Sequence, residues 1–322
     1  MSPWIRAIAF AGLFAGTAHA APPADDAFKA IYTKEWTWRN GQAGILTSGE
    51  AQPGDGRLDT VDAASQAKRL AYWNDVLAQL DRIDPKSLSG TVRVDYAVYR
   101  EQIGNLAAAQ RFAQWQMPFN SDSAFWSDIS YVLHGDDLRT RDDYRHYIER
   151  LRQIPAYMDQ EIANMRLGLA RGFTVPREVL GGRDVSIAAV AELKSPEDSA
   201  LYKPFKAMPK NLPAADAEAL RTDARKAIAE GVIPAYGRLL TFFRNEYVPR
   251  ARPTLAAESL PDGKAYYRQQ IHEYTTLDLS PDEIHAIGLR EVARLHADML
   301  ETMKETGFKG DFPAFLTFLR TD

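Results

Sequence analysis

Apolar residues recur every three or four positions along most of this chain, the spacing that gathers them on one face of an α-helix. Over 60–83 that face is Leu70, Trp73, Leu77, Leu80 and Ile83, and Asp84-Pro85 stops it. Over 91–115 it is Tyr96, Tyr99, Ile103, Leu106 and Phe112, closed by Pro118. The pattern returns over 142–171 with Tyr147, Ile148, Leu151, Ile154, Met158, Ile162, Met165 and Leu169, and Gly172 ends it. Pro155 lacks an N–H and its ring crowds the preceding turn, so a break or kink is predicted there. A further helix is predicted over 214–247, kinked at Pro234, with Leu220, Ile228, Tyr236, Leu239, Leu240 and Phe243 on its apolar side.

The clearest helix start is Ser280-Pro-Asp-Glu283, where serine caps, proline suits the first position and glutamate completes a capping box. That helix is predicted to reach about Thr306, with Ile284, Val292, Leu295, Met299 and Met303 facing inward. Gly288 inside it costs about 1 kcal/mol against alanine, which close helix packing would offset. Residues 172–212, with Gly181-Gly182, read mainly as loop with a short helix near 184–193. Residues 248–262 carry Pro249, Pro253 and Pro261 and read as extended. No strand ladder or fixed-period repeat is visible. The expected fold class is all-α: kinked, mostly antiparallel helices with a loop-rich insert.

The first 20 residues follow a different rule. Arg6 precedes a short apolar run, Ala7 to Gly16, and Ala18-His19-Ala20 gives the small-x-small pattern that a signal peptidase cuts. A signal peptide is expected at 1–20, cut between Ala20 and Ala21, with a free leader after it and one helical domain over 21–322. No later run is long and apolar enough to span a bilayer, so the expected location is periplasmic or secreted. The formal charge of −4 argues against nucleic acid as a partner. The absence of cysteine excludes disulfides, thiolate metal sites, cysteine nucleophiles and a lipid anchor on cysteine.

Candidate chemistry is sparse. His272-Glu273-Tyr274-Thr275-Thr276 resembles the opening of a helical HExxH zinc motif, but Thr276 stands where the second imidazole belongs. His285 and His296 share a helix face yet lie roughly 16 Å apart by helical rise, too far to share one zinc. His134 and His146 sit beside aspartates, Asp136-Asp137 and Asp142-Asp143, which read as solvated surface. No G-x-S-x-G elbow, P-loop, Rossmann glycine pattern or EF-hand loop occurs. No catalytic residue and no metal ligand is therefore assigned. Trp36, Trp38, Trp73, Trp115 and Trp126 could line a peptide or glycan groove, though helix-packing core is the stronger reading of them.

Three long stretches resemble the bacterial domain-of-unknown-function 885 family. They are Tyr147 through Pro176, Ile233 through Arg252, and Leu260 through Gly288, including Thr275-Thr-Leu-Asp-Leu-Ser-Pro-Asp-Glu-Ile-His-Ala-Ile-Gly288. The resemblance implies an exported, mostly helical protein similar to helical zinc peptidases such as carboxypeptidase Taq. It implies that this chain is an N-terminal half, with the zinc motif in a half that would follow Asp322. No cofactor is then expected in this chain, and zinc only with that other half. The weak cleft candidates are Tyr266, Tyr267, Arg268 and His272, contributing to a peptide-substrate site in the full-length protein. The alternative is an exported helical binding or scaffold module with an aromatic groove and no catalysis. The apolar segment 312–319, capped by Asp311 and opened by Pro313, is expected to drive self-association.

Overall fold

The computed structural model describes residues 23–42, 57–132 and 138–321, and these residues are mostly helical with no strand among them. The expected signal peptide, its cut between Ala20 and Ala21, His134 and Asp136-Asp137 lie outside the described residues. The helices are α1 Pro23–Gln42, α2 Ala63–Leu80, α3 Gly90–Arg111, α4 Phe125–Val132, α5 Arg141–Arg171, α6 Asp184–Ala191, α7 Ala214–Ala227, α8 Ile233–Phe242, α9 Gly263–Thr275, α10 Pro281–Glu305 and α11 Phe312–Thr321. The periodicity did not point to α1, and its first residues, Pro23 and Ala24, replace part of the expected free leader.

Helices α1, α2 and α3 enclose one core, with Phe28, Trp73, Val76, Leu80, Tyr96, Tyr99 and Ile103 at its centre. Glu35 sits fully buried inside it. Its carboxylate accepts hydrogen bonds from the Tyr99 hydroxyl (2.8 Å), Trp73 Nε1 (3.1 Å) and the forked Arg39 guanidinium (2.8 and 2.6 Å). A buried charge is tolerated when its oxygens are paired in this way.

The larger core is built on α5. Tyr147, Leu151, Ile154, Met158, Met165 and Leu169 recur along its buried face, and α4, α6, α7 and α8 close over them. The helix starts at a capping box between Thr140 and Asp143 and runs through Pro155 to Gly172, which takes a positive φ of 79°. The predicted break at Pro155 is absent; the ring lies against Gly231, where an added Cβ would meet it at 3.4 Å. Prolines 234 and 249 are accommodated otherwise. A π-turn, Ile228–Val232, precedes Ile233-Pro234, and a second, Phe243–Tyr247, precedes Val248-Pro249. The wider i to i+5 turn relieves the clash between a proline ring and the preceding carbonyl.

A short extended strap over 57–62 joins the two cores. Leu58 N donates to Gln153 Oε1 (2.8 Å), Val61 N and Asp62 N donate to Gln160 Oε1 (2.8 and 3.0 Å), and Asn164 Nδ2 donates to the Val61 carbonyl (2.8 Å). Residues 153, 160 and 164 fall on one face of α5, so one polar stripe satisfies the strap's backbone.

The end of the chain corrects the sequence reading. The capping box at Ser280 and Glu283 forms as predicted, and α10 keeps its full length. Its apolar face is not covered. Met303 is buried, but Val292 is 67% exposed, Leu295 48% and Met299 45%. Gly288, expected at a close helix contact, has nothing within 4 Å of an added Cβ. Helix α11 packs on the end of α10 through Phe315, with Phe318 and Leu319 left exposed. No described helix is long and apolar enough to cross a membrane.

Candidate functional site

The four cleft candidates all lie on α9, but they do different things. Tyr266 is wedged edge-on between Phe112 and Phe173, with ring centroids 5.5 Å from each. Burial raises its phenol pKa, and its role here is to dock α9 on the rest of the molecule. Tyr267 and Arg268 point to solvent. His272 Nε2 lies 2.9 Å from Glu101 Oε1 on α3, and its Nδ1 lies 3.0 Å from Asp278 Oδ1 in the loop after α9. The hydrogen bond with Glu101 raises the imidazole pKa above its ordinary value, and Asp278 adds to the effect. Beside it, Gln269 Nε2 donates to Asn105 Oδ1 (3.0 Å). This is a polar clasp between α9 and α3, and it brings Tyr266, Tyr267, Arg268 and His272 to no common point.

The zinc reading can be tested on the same residues. Both ring nitrogens of His272 face carboxylate oxygens, and Thr276 caps α9 with a positive φ of 59°, its backbone turned away from the helical path. His296 packs edge-on against Phe312, 5.2 Å between centroids. Among the described residues no group of three His, Asp or Glu side chains converges as metal ligands would. His272 and Thr276 are thus not arranged to hold a zinc ion, and no step of a reaction is assigned to one.

The tryptophans do not form one groove. Trp73 and Trp126 belong to different cores, Trp126 donating from Nε1 to Ser186 Oγ (3.0 Å), and Trp38 stacks on Tyr72. Trp36 alone among these four is exposed, with about half of its surface open to solvent.

Of the buried carboxylates that escaped the sequence reading, Asp25, Glu35, Asp59 and Glu161, the two glutamates lie deepest. Glu35 is described above. Glu161 lies under the strap on α5, 4% exposed, accepting from Asn164 Nδ2 at 3.2 Å. Burial pushes its carboxyl up to about 7; hydrogen bonds with Asn164 and Tyr157 oppose the shift, and the charge of Asp59, also buried, adds to it. The signal for both was phase. Glu35 follows Phe28 by seven residues and Glu161 follows Tyr157 by four, so each falls on an apolar stripe where a charge must be buried.

Comparison with known proteins bears on the family and the fold. The family model described as "Bacterial protein of unknown function (DUF885)" matches residues 40–322. The crystal structure of the "putative lipoprotein" from Colwellia psychrerythraea superposes with a TM-score of 0.74 at 18% identity, over 93% of this chain and 54% of that one. The structure of a "putative lipoprotein of unknown function" from Shewanella oneidensis superposes with a TM-score of 0.59 at 18% identity, over 89% of this chain and 49% of that one. At such identity the likeness is one of fold, and this chain spans about half the length of either protein. No curated protein matches significantly. With the family model covering most of its length, the chain belongs to the bacterial DUF885 family.

Proposed function

We propose that this chain is the non-catalytic, helical N-terminal part of an exported, peptidase-like protein, and that its last two helices form the seat for a further polypeptide segment. The observation that carries this reading is the uncovered stripe on α10, Gly288, Val292, Leu295 and Met299, on an otherwise well-capped helix. A helix normally buries such a stripe. The match to only about half of two larger helical proteins supports the reading. Export is supported by the signal-like residues 1–20 and by the description of both neighbours as lipoproteins. The peptidase-like character rests on the family resemblance alone. It assigns a substrate class, peptides, to the whole protein and no catalytic group to this chain.

The test is genetic and then biochemical. The reading frame beyond codon 322 is expected to encode a helical segment carrying an HExxH motif. The purified chain should cleave no peptide with or without added zinc, and joint expression with that segment should yield one stable complex with zinc-dependent cleavage. A stop at codon 323 with no such segment nearby, or peptide cleavage by the chain alone, overturns the reading.

A further inference from the structure

A second feature, remote from α10 in sequence and lying between α1 and α3, is an open groove of about 610 Å³. Its size is in the range of ligand and peptide-side-chain sites. The floor is aromatic, formed by Phe28 and Tyr99, and the walls carry Tyr32, Val92 and Val98. Of the lining, Tyr32 and Val98 stand open to solvent, and outside it on the same two helices so do Trp36 and Val94. Tyr32 stacks on Trp36 at 6.5 Å and meets Tyr99 edge-on at 5.4 Å, so the rings form a continuous, pre-ordered platform. Such rings lose little conformational freedom on binding and present a negative face to a cation.

The polar lining is of one sign except for Lys29. Asp25 serves the fold, its Oδ1 accepting from Ser89 N at 3.0 Å. Asp26 and Asp95 do not: both are exposed at the groove, one on each helix, and no hydrogen bond or ion pair within the described residues engages them. The contrast with Glu35, on the same helix, is informative, since every oxygen there is paired. An apolar slot flanked by two uncommitted carboxylates matches a ligand with an apolar body and a positive charge at its edge.

We propose that the α1–α3 groove binds a basic, amphipathic peptide segment, with an apolar side chain over Phe28 and Tyr99 and a lysine or arginine between Asp26 and Asp95. This goes beyond the function proposed above and does not depend on it, because the groove belongs to the first three helices and needs no further segment.

The probe is a fluorescein-labelled amphipathic helical peptide of leucine and lysine, with two analogues in which every lysine becomes glutamine or glutamate. Fluorescence anisotropy on the full chain should show saturable binding of the lysine peptide that weakens about tenfold or more as salt is raised from low to physiological. The Asp26→Asn/Asp95→Asn double variant should lower that affinity about tenfold, and Val98→Lys should abolish it. All three positions are exposed, and circular dichroism should confirm an unchanged fold. Equal binding of the glutamate or glutamine peptide overturns the proposal, as does an affinity unchanged in both variants, which would place the peptide elsewhere, for instance on α10. Absence of binding by the lysine peptide, or preference for a neutral oligosaccharide over it, overturns it too.

Discussion

Two titrating residues mark where this fold is sensitive to pH, and each acts over its own window. Glu161 has a folded-state pKa of about 7 against an ordinary value of 4.5, because burial disfavours its charge. The folded state therefore holds its proton more tightly than the unfolded state, so the associated stability is complete below about pH 4.5 and lost as pH rises through 7. Glu161→Gln keeps the shape and the hydrogen bond with Asn164 while removing the charge. It should leave stability near pH 5 almost unchanged and raise it at pH 8, by at most about 3 kcal/mol, in denaturant titrations at the two values. A variant that is less stable than the parent at pH 8 would mean that the carboxylate is stabilised there by contacts the geometry does not give it. His272 also has a raised pKa, held by Glu101 first and Asp278 second. Its clasp is fully present below pH 6.5 and lost as pH rises through the raised value. The ring is partly open to solvent, so His272→Gln should cost no more than about 0.5 kcal/mol at pH 6 and nothing measurable well above neutrality. A loss independent of pH would show that the ring's packing, not its charge, holds α9.

Glycine separates the covered elements from the uncovered one. At Gly168 on α5 an added Cβ would lie 2.7 Å from the carbonyl oxygens of both Gln116 and Phe173. Backbone cannot yield as a side-chain tip does, so Gly168→Ala should destabilise by about 1–3 kcal/mol. At Gly288 on α10 nothing lies within 4 Å, and Gly288→Ala should stabilise by up to about 1 kcal/mol through helix propensity alone. Thermal melts of the two variants should move in opposite directions; a loss at Gly288 would mean that its face is already covered. The same elements show what the sequence could and could not convey. The cap at Ser280, the apolar faces of α2, α3 and α5 and the short helix near 184–193 were all legible, because each depends on local spacing. Helix α1 was not, since Phe28, Glu35 and Trp36 mix burial, charge and exposure along one helix. The π-turns before Pro234 and Pro249 were visible only as a kink or a break, because proline marks the difficulty and tertiary packing chooses its solution. The inward face predicted for α10 has the correct period but no described neighbour to receive it. Tyr266 and His272 were proposed as cleft residues, and periodicity could not reveal that their partners are Phe112 and Phe173 for the one and Glu101 for the other.

At the scale of the whole molecule, the two cores bury their largest apolar side chains while the C-terminal helical pair does not. Trp73 and Glu35 seal one core, Trp126, Tyr147 and Tyr236 the other, and all are almost wholly buried. By contrast Val292, Leu295 and Met299 on α10 and Phe318 and Leu319 on α11 each keep between 41% and 67% of their surface in water. Fully burying a large apolar side chain is worth about 1.5–3 kcal/mol, so this end stands to gain several kcal/mol from association. The isolated chain is therefore expected to self-associate through α10 and α11, reversibly and more strongly as concentration rises. Light scattering across a dilution series measures this directly. Val292→Gln with Leu295→Gln removes apolar surface without touching either core and should leave a monodisperse monomer with an unchanged melting temperature. Ending the chain at residue 307 removes only α11, so it should weaken association without abolishing it, because the α10 stripe remains. A parent chain that stays monomeric at every concentration, with no change in either variant, would mean that the stripe is stable in water by itself and needs no partner.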